Sequence, residues 1–157
     1  MFPDNKEIIP SLLCSDKPLD EPKARMYSPL TLAFLGDAVY SIMVRETLTL
    51  NENKPAGKLH RESVDYVNAA FQAKMIKEML PFLTDAEIAV FKRGRNAHSA
   101  HSPKNQSESD YRYATGFEAL FGYLYLCGKF ERLRYLFEKC AATHRESTDC
   151  GSKPADQ

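Results

Sequence analysis

The spacing of apolar residues is the feature that most restricts how this chain can fold. Through segments 29–48, 63–80 and 109–127, apolar side chains recur at intervals of three and four residues, which is the repeat of one face of an α-helix. No segment shows the two-residue alternation typical of a half-buried strand. The sequence therefore predicts an all-α fold. In the first of these helices, the predicted apolar face consists of Leu32, Leu35, Val39, Ile42 and Met43.

Local signals indicate where the helices begin and end. Ser28 followed by Pro29 is a helix start, with serine as N-cap and proline at the first helical position. Thr84 and Glu87 have the spacing of a capping box, and Gly128 is a C-terminal stop. We predict helices at 29–48, 56–61, 63–80, 84–95, 109–127 and 130–143. We also predict an N-terminal arm at 1–25, one domain at 26–143 and a flexible C-terminal tail at 144–157.

Composition excludes several classes of protein. The 157 residues suit one domain with one core. The formal net charge is zero, so any attraction to polyanions must come from a local patch. The four cysteines show no Cys-x-x-Cys spacing, which argues against a zinc site or a disulfide framework and favours reduced thiols in the cytoplasm. No segment is apolar for long enough to span a bilayer, and the N-terminus lacks the apolar core of a signal peptide, so we expect no membrane association.

Two acidic residues interrupt the most apolar of the predicted helices. Asp37 lies in a stretch at 30–44 that is predicted to be buried, and Glu118 lies in a similar setting at 115–124. An ionised side chain there is costly unless a cation pairs with it. Magnesium fits, because it takes one or two protein carboxylates and keeps several waters. If the two helices cross in the core, Asp37 and Glu118 can share one magnesium ion. The alternative is that each lies on a solvated helix face.

A basic segment stands out in a chain without net charge. From Lys92 to Lys104 there are four cationic side chains and no acidic one. Such donors at a helix end and in a polar loop can track a phosphate backbone, and they position a nucleic acid rather than read its bases. The candidate contacts are Arg93, Arg95, Asn96 and Lys104. An ordinary solvated surface is the alternative. For the two loop histidines, His98 and His101, phosphate contact or solvation is favoured over metal ligation, because a third ligand is missing nearby.

Sequence blocks around the two carboxylates resemble a known family. FLGDA at 34–38 and FEALFG at 117–122 look like the paired signature of the ribonuclease III catalytic domain. KRGRNA at 92–97, PKN at 103–105 and YRYAT at 111–115 are similar to its Mini-ribonuclease III branch. These blocks occur in the expected order, which makes the resemblance specific. The likeness covers roughly residues 27 to 140, and no double-stranded-RNA-binding domain follows, as in that branch.

The resemblance implies a fold, a reaction and an assembly. It implies the all-α ribonuclease III fold in a homodimer. From the apolar residues, we expect the dimer surface to be drawn from the helices around Phe34 and Phe121, with core packing of these aromatic residues as the alternative. It implies magnesium-dependent hydrolysis of double-stranded RNA to 5′-phosphate and 3′-hydroxyl ends, in the maturation of 23S ribosomal RNA. Asp37 and Glu118 fall on the family's metal-binding carboxylates.

The chain departs from the wider ribonuclease III pattern at two acidic positions. That pattern has a glutamate where this chain has Ala33 and an aspartate where it has Thr115. The Mini-ribonuclease III branch shares both losses. The resemblance therefore implies one well-held magnesium ion, with a second recruited by the RNA phosphate.

Three other functions are weighed against this one. A catalytically inactive RNA-binding module on the same fold would bind duplex RNA without cutting it. An all-α nucleotide pyrophosphatase would use paired acidic residues, for which Glu62 and Asp65 have the spacing, although a solvated face explains them equally. A helical adaptor protein would need no carboxylate in an apolar helix and would bind neither magnesium nor RNA.

Overall fold

A computed structural model of the chain describes residues 17–97 and 107–149. Its α-helices are α1 (Glu21–Met26), α2 (Pro29–Asn51), α3 (Ala56–Val67), α4 (Ala69–Met79), α5 (Asp85–Asn96), α6 (Glu108–Leu126) and α7 (Phe130–Asp149), and a 3₁₀ turn (Leu80–Phe82) follows α4. The described residues include no strand, so the predicted all-α class is confirmed. None of these helices is long and apolar enough to cross a membrane.

The centre of the fold is the crossing of α2 over α6, where the two backbones touch. A Cβ added to Gly36 of α2 would overlap the backbone carbonyl oxygen of Glu118 and lie 2.8 Å from the nitrogen of Gly122. A Cβ added to Gly122 of α6 would overlap the carbonyl oxygen of Leu32. Only glycine permits so close an approach at both positions. The two glycines therefore fix the distance between the helices that carry the candidate carboxylates.

An aromatic cluster fills the core beside this crossing. The ring centroid of Tyr40 lies 4.9 Å from that of Phe117 and 5.5 Å from that of Phe121, both in edge-to-face contact. All three rings are at most 1% exposed. The Tyr40 hydroxyl donates to the carbonyl oxygen of Tyr66, which ties α3 to α2. Of the two alternatives for Phe121, dimer surface or core, the structure supports the core, because the ring packs inside the protomer.

The buried face of α2 differs from the predicted one. The residues that face the core are Leu32, Ala33, Gly36, Val39, Tyr40 and Val44. Ile42, which was predicted to belong to the apolar face, is 53% exposed. The reason is the close approach at Gly36, which turns the face that contains Gly36 and Tyr40 toward α6 and leaves Ile42 outside. Hydrophobic spacing alone cannot show this, because large apolar residues lie all around the helix.

Asn68 divides what the sequence presents as a long helix at 63–80. Its side-chain oxygen accepts from the backbone nitrogen of Phe71 at 2.8 Å and so caps the start of α4. Its side-chain nitrogen donates to the carbonyls of Val64 and Asp65, the end of α3. One asparagine thus ends one helix and begins the next. The predicted helices at 56–61 and 63–80 are corrected to α3 and α4.

The two ends of the described chain carry more helix than predicted. Helix α1 begins at Glu21, inside the segment 1–25 that was predicted to form an arm, and its Ala24 is fully buried. The backbone nitrogen of Leu19 donates to the carbonyl of Leu126 at 2.8 Å, which holds this segment against the end of α6. Helix α7 continues to Asp149, beyond the predicted end at 143. The division into arm, domain and tail stays a prediction, since residues 1–16 and 150–157 lie outside the described structure.

A buried ion pair joins α5 to α7 and gives the fold a testable pH dependence. Glu87 is 3% exposed and accepts two hydrogen bonds from Arg132, at 2.9 and 2.8 Å, and one from the backbone nitrogen of Thr84. Burial alone would raise the pKa of Glu87, but the hydrogen bonds from Arg132 and Thr84 outweigh it, so the pKa is lowered. A lowered carboxyl pKa stabilises the fold above its unfolded value of about 4.3, and this stability is lost as the pH falls.

We expect Arg132→Met to lower the free energy of unfolding by about 2 kcal/mol at pH 7, because Glu87 loses its charged donor. The loss should shrink as the pH falls through the lowered pKa of Glu87, because the carboxyl is then protonated in both states. Urea unfolding at pH 7 and at a series of lower pH values measures it. Arg134→Met is the control, because its pair with Glu131 is exposed and should contribute less than about 0.5 kcal/mol. Equal losses in the two variants would contradict this role for the buried pair.

Candidate functional site

The structure brings Asp37 and Glu118 together at the crossing of α2 and α6. Asp37 follows Gly36, whose backbone lies against the backbone of Glu118. The Glu118 carboxyl is half-buried, and its pKa is raised to about 7 by burial first and by the nearby charge of Asp37 second. The nearby amide of Gln72 opposes this rise, and within the described residues no cationic side chain lowers the pKa further. In this part of the chain, two acidic groups thus lie close together without a compensating positive charge.

The exposure of Asp37 corrects one expectation. The sequence placed this residue in a buried stretch, but its side chain is exposed. Successive residues of an α-helix are about 100° apart around the axis. Because Gly36 faces α6, Asp37 points past the crossing toward solvent. The pair therefore has one carboxylate open to the surroundings and one set into the protein.

The residues around the pair fit a magnesium ion held by two carboxylates. Magnesium binds oxygen ligands and commonly takes only one or two from the protein. Burial and the charge of Asp37 raise the pKa of Glu118, and a bound cation would oppose this rise by favouring the ionised form. Within the described residues, no group of three or more His, Cys, Asp and Glu side chains is placed to hold a metal. In this part of the chain, an ion at the crossing would depend on Asp37 and Glu118 alone for carboxylate ligands. Metal binding by these two residues stays a prediction.

Ala33 and Thr115, the two non-acidic positions noted in the sequence, are buried residues of α2 and α6. Ala33 is 5% exposed and belongs to the face of α2 that meets α6. Thr115 is 7% exposed, and its hydroxyl donates to the carbonyl of Tyr111 at 2.9 Å within its own helix. Neither residue adds a carboxylate to the site.

Gln72 of α4 is a site residue that sequence reasoning missed. It is 1% exposed, and its amide lies close enough to Glu118 to lower the pKa of that carboxyl. Its side-chain nitrogen makes no hydrogen bond of normal geometry. The sequence does contain a signal for Gln72, because this residue shares a helix face with Met75, Ile76 and Met79. A polar side chain on such a buried face needs a polar partner.

Arg93 and Arg95 have different surroundings, although both belong to the basic segment. The guanidinium of Arg93 donates to the backbone carbonyls of Arg25 and Tyr27 and so fastens α5 to the end of α1. The guanidinium carbon of Arg95 lies 5.6 Å from the ring centroid of Phe91, within cation–π range. The Nε of Arg95 donates to the side-chain oxygen of Asn96 at 3.1 Å.

A polar concavity of about 410 Å³ opens where the end of α5 meets the start of α6. Its lining residues are Arg95, Asn96, Glu108, Ser109, Arg112 and Tyr113. Arg112, which sequence reasoning did not single out, pairs with Glu108 at 3.0 Å on the surface. The predicted contact Lys104, together with His98 and His101, lies outside the described residues. Two of the four predicted RNA contacts, Arg95 and Asn96, thus line this concavity.

The acidic pair of the pyrophosphatase alternative belongs to the surface of α3. Glu62 accepts two hydrogen bonds from Lys54, at 2.9 and 3.1 Å. Asp65 is exposed, and its backbone carbonyl accepts from Asn68. An acidic group already paired with a lysine is typical of a solvated helix face, which favours the surface interpretation of this pair.

Comparisons with known proteins give a consistent family likeness. A family model described as the ribonuclease III domain matches residues 30–129, a span that includes both carboxylates. A Mini-ribonuclease 3 from Thermoanaerobacter sp. is 50% identical over 111 residues, covering 71% of this chain and 78% of the relative. A Mini-ribonuclease 3 from Clostridium tetani is 44% identical over 126 residues, covering 79% and 83%. A crystal structure of a Fusobacterium nucleatum protein aligns with a TM-score of 0.69 at 28% identity, covering 76% of this chain and 96% of that one.

Proposed function

Because this chain belongs to the ribonuclease III family and is an endoribonuclease, we propose that Asp37 and Glu118 form a magnesium-dependent site that cleaves double-stranded RNA. The observation that supports this most directly is the convergence of the two carboxylates at the crossing of α2 and α6. Burial and the charge of Asp37 raise the pKa of Glu118, and no cationic side chain among residues 17–97 and 107–149 offsets them. Such a pair is suited to a divalent ion.

The two carboxylates have different roles in the proposed site. Glu118 of α6 is half-buried and would hold the ion against the protein, whereas Asp37 is exposed and would hold it on the side from which a large substrate can approach. Bound there, magnesium would supply Lewis-acid stabilisation of the charge that develops on the scissile phosphate. The expected products carry 5′-phosphate and 3′-hydroxyl ends. Since Ala33 and Thr115 offer no carboxylate, one well-held ion is proposed.

The RNA surface is proposed to run from the carboxylates across the polar concavity. Arg95, Asn96 and Arg112 lie there, and Lys104 belongs to the adjoining loop sequence. Arg93 already donates to two carbonyls, so its main role is proposed to be structural. Side chains of this kind contact phosphates and 2′-hydroxyls of A-form RNA with weak base selectivity. Affinity should fall steeply as salt is raised. The proposed natural substrate, a duplex in precursor 23S ribosomal RNA, is supported by the resemblance of the sequence blocks alone.

A homodimer is proposed to form through an exposed apolar stripe on α2. The stripe consists of Leu30, Phe34, Ala38 and Ile42 at four-residue spacing. Phe34 is 83% exposed, and Met26, at the end of α1, is 84% exposed. The stripe runs for about 18 Å along the helix beside Asp37. A two-fold axis through it would bury the same surface on both copies and give each duplex strand its own catalytic pair.

We expect Phe34→Glu to weaken dimerisation by about 2 kcal/mol or more, roughly 30-fold in Kd, since an exposed aromatic anchor becomes a charge. Sedimentation should show the shift to monomer, and duplex cleavage should fall with it. Leu50→Glu is the matched control. Leu50 is an exposed apolar residue of α2 like Phe34, with 78% of its surface exposed, but it lies about 160° around the helix from Phe34. A Phe34→Glu protein that stays dimeric would contradict the proposed surface.

The test of the function is incubation with a perfect RNA duplex, with magnesium or with excess chelator, followed by end-group analysis. Magnesium-dependent cuts with 5′-phosphate ends support the proposal, and a single-stranded RNA of the same sequence serves as the control substrate. Salt-sensitive duplex binding without cleavage would instead favour an inactive RNA-binding module. Turnover of nucleoside triphosphates would favour the pyrophosphatase.

A further inference from the structure

Gln72 is a buried polar side chain on a helix face that is otherwise apolar. Its buried neighbours on α4 are Ala73, Met75, Ile76 and Met79. Gln72 is 1% exposed, and its side-chain nitrogen makes no hydrogen bond of normal geometry. A buried donor left without a partner costs about 1–3 kcal/mol. A leucine or methionine would fill the same space without that cost, so packing alone does not explain the glutamine.

The Gln72 side chain lies beside the Glu118 carboxyl, close enough to lower its pKa. Helix α4, which carries Gln72, packs against α6, which carries Glu118. A glutamine amide supplies donors without a charge. A lysine at position 72 would compete with a metal ion for Glu118, and a glutamate would add a further negative group. Glutamine is therefore suited to orient a carboxylate that must remain free for a cation.

We propose that Gln72 is a positioning residue, whose side-chain amide donates to the Glu118 carboxylate and holds it in the orientation that binds the metal. The inference rests on the proposed magnesium site. Among the residues that the structure describes, the side-chain nitrogen of Gln72 has no other hydrogen-bond partner, so its donors are available to the Glu118 carboxylate. A group that fixes a metal ligand in this way commonly contributes tenfold or more to metal affinity.

The test is Gln72→Met, which keeps an unbranched side chain of similar length and removes both donors. Calorimetric titration of the RNA-free protein with magnesium should show affinity reduced by about tenfold or more. The free energy of unfolding in chelator should be unchanged or higher, because a buried unpartnered amide is gone. In duplex cleavage, the magnesium concentration for half-maximal rate should rise by a similar factor, while KM for RNA at saturating magnesium stays the same.

Met75→Leu is the matched control, because it changes a buried side chain one turn away on α4 at nearly constant volume. It should leave magnesium affinity unchanged. If Gln72→Met does not fold, Gln72→Leu removes the same donors and takes its place. Unchanged magnesium affinity in the folded variant would overturn the positioning role while leaving the magnesium site intact. An equal loss of magnesium affinity in Gln72→Met and Met75→Leu would also overturn the positioning role. A wild-type protein that binds no magnesium would overturn the proposed function itself.

Discussion

Asp37→Asn and Glu118→Gln are each expected to reduce cleavage of duplex RNA to below about one thousandth of the wild-type rate. A metal ion contributes several kcal/mol to transition-state stabilisation, and about 4 kcal/mol corresponds to a factor of about a thousand. Each variant keeps the shape of the side chain and removes a negative oxygen ligand. The rate is measured on a labelled duplex at saturating magnesium.

These variants should stay folded and should still bind RNA. Asp37 is exposed, so its replacement alters no packed surface. Glu118 has a pKa raised to about 7, and a carboxyl whose pKa is raised on folding destabilises the native state progressively between its unfolded value of about 4.3 and its folded value. In chelator, Glu118→Gln should therefore gain stability relative to the wild type from about pH 4.3 to pH 7, with the difference constant above that.

Glu46→Gln provides the matched control for the loss of charge, because Glu46 is an exposed acidic residue further along α2. It should cut duplex RNA at the wild-type rate. If Asp37→Asn or Glu118→Gln also cuts at that rate, the catalytic pair is wrongly assigned. If either variant loses RNA binding together with cleavage, the carboxylate concerned supports the fold or the RNA surface rather than the chemistry.

The sequence predicted several features that local chemistry determines, although it missed the cap at Asn68. Helical spacing predicted the all-α class, and the Thr84–Glu87 capping box is present, with the hydroxyl and the carboxylate each accepting from the other residue's backbone nitrogen. Gly128 follows the end of α6, as predicted. Its φ is 66°, a conformation that glycine adopts without strain. Each of these features depends on neighbours within a few residues along the chain.

Among features that depend on contacts between distant helices, the crossing of the helices that carry Asp37 and Glu118 was raised as a hypothesis, but the faces that meet there were not predicted. Helical spacing marks Phe34 and Phe121 alike as apolar, yet the first is exposed and the second is buried. The difference follows from which face of each helix meets the other at Gly36 and Gly122. The role of Gln72 depends on a third helix passing beside Glu118, and the contacts of Arg93 depend on α1. Sequence spacing within one helix contains no information about these approaches.

Gly36→Ala is expected to lower the free energy of unfolding by about 3 kcal/mol or more, the upper part of the usual range for overpacking. The added methyl group would overlap the carbonyl oxygen of Glu118, and backbone cannot rotate away as a flexible side chain can. The two helices must then separate or tilt. Urea unfolding at pH 7 measures the loss of stability, and magnesium titration of the protein that remains folded should show weaker binding, because Asp37 moves relative to Glu118.

Gly57→Ala makes the same chemical change in a helix without the steric consequence. Gly57 lies in α3, and an added Cβ there meets nothing within 4 Å. The variant should be more stable than the wild type by about 0.5–1 kcal/mol, since alanine loses less backbone freedom on folding. The two substitutions should therefore change stability in opposite directions. Wild-type stability and magnesium affinity in Gly36→Ala would mean that α2 and α6 are not held in backbone contact, and that this contact does not set the separation of the two carboxylates.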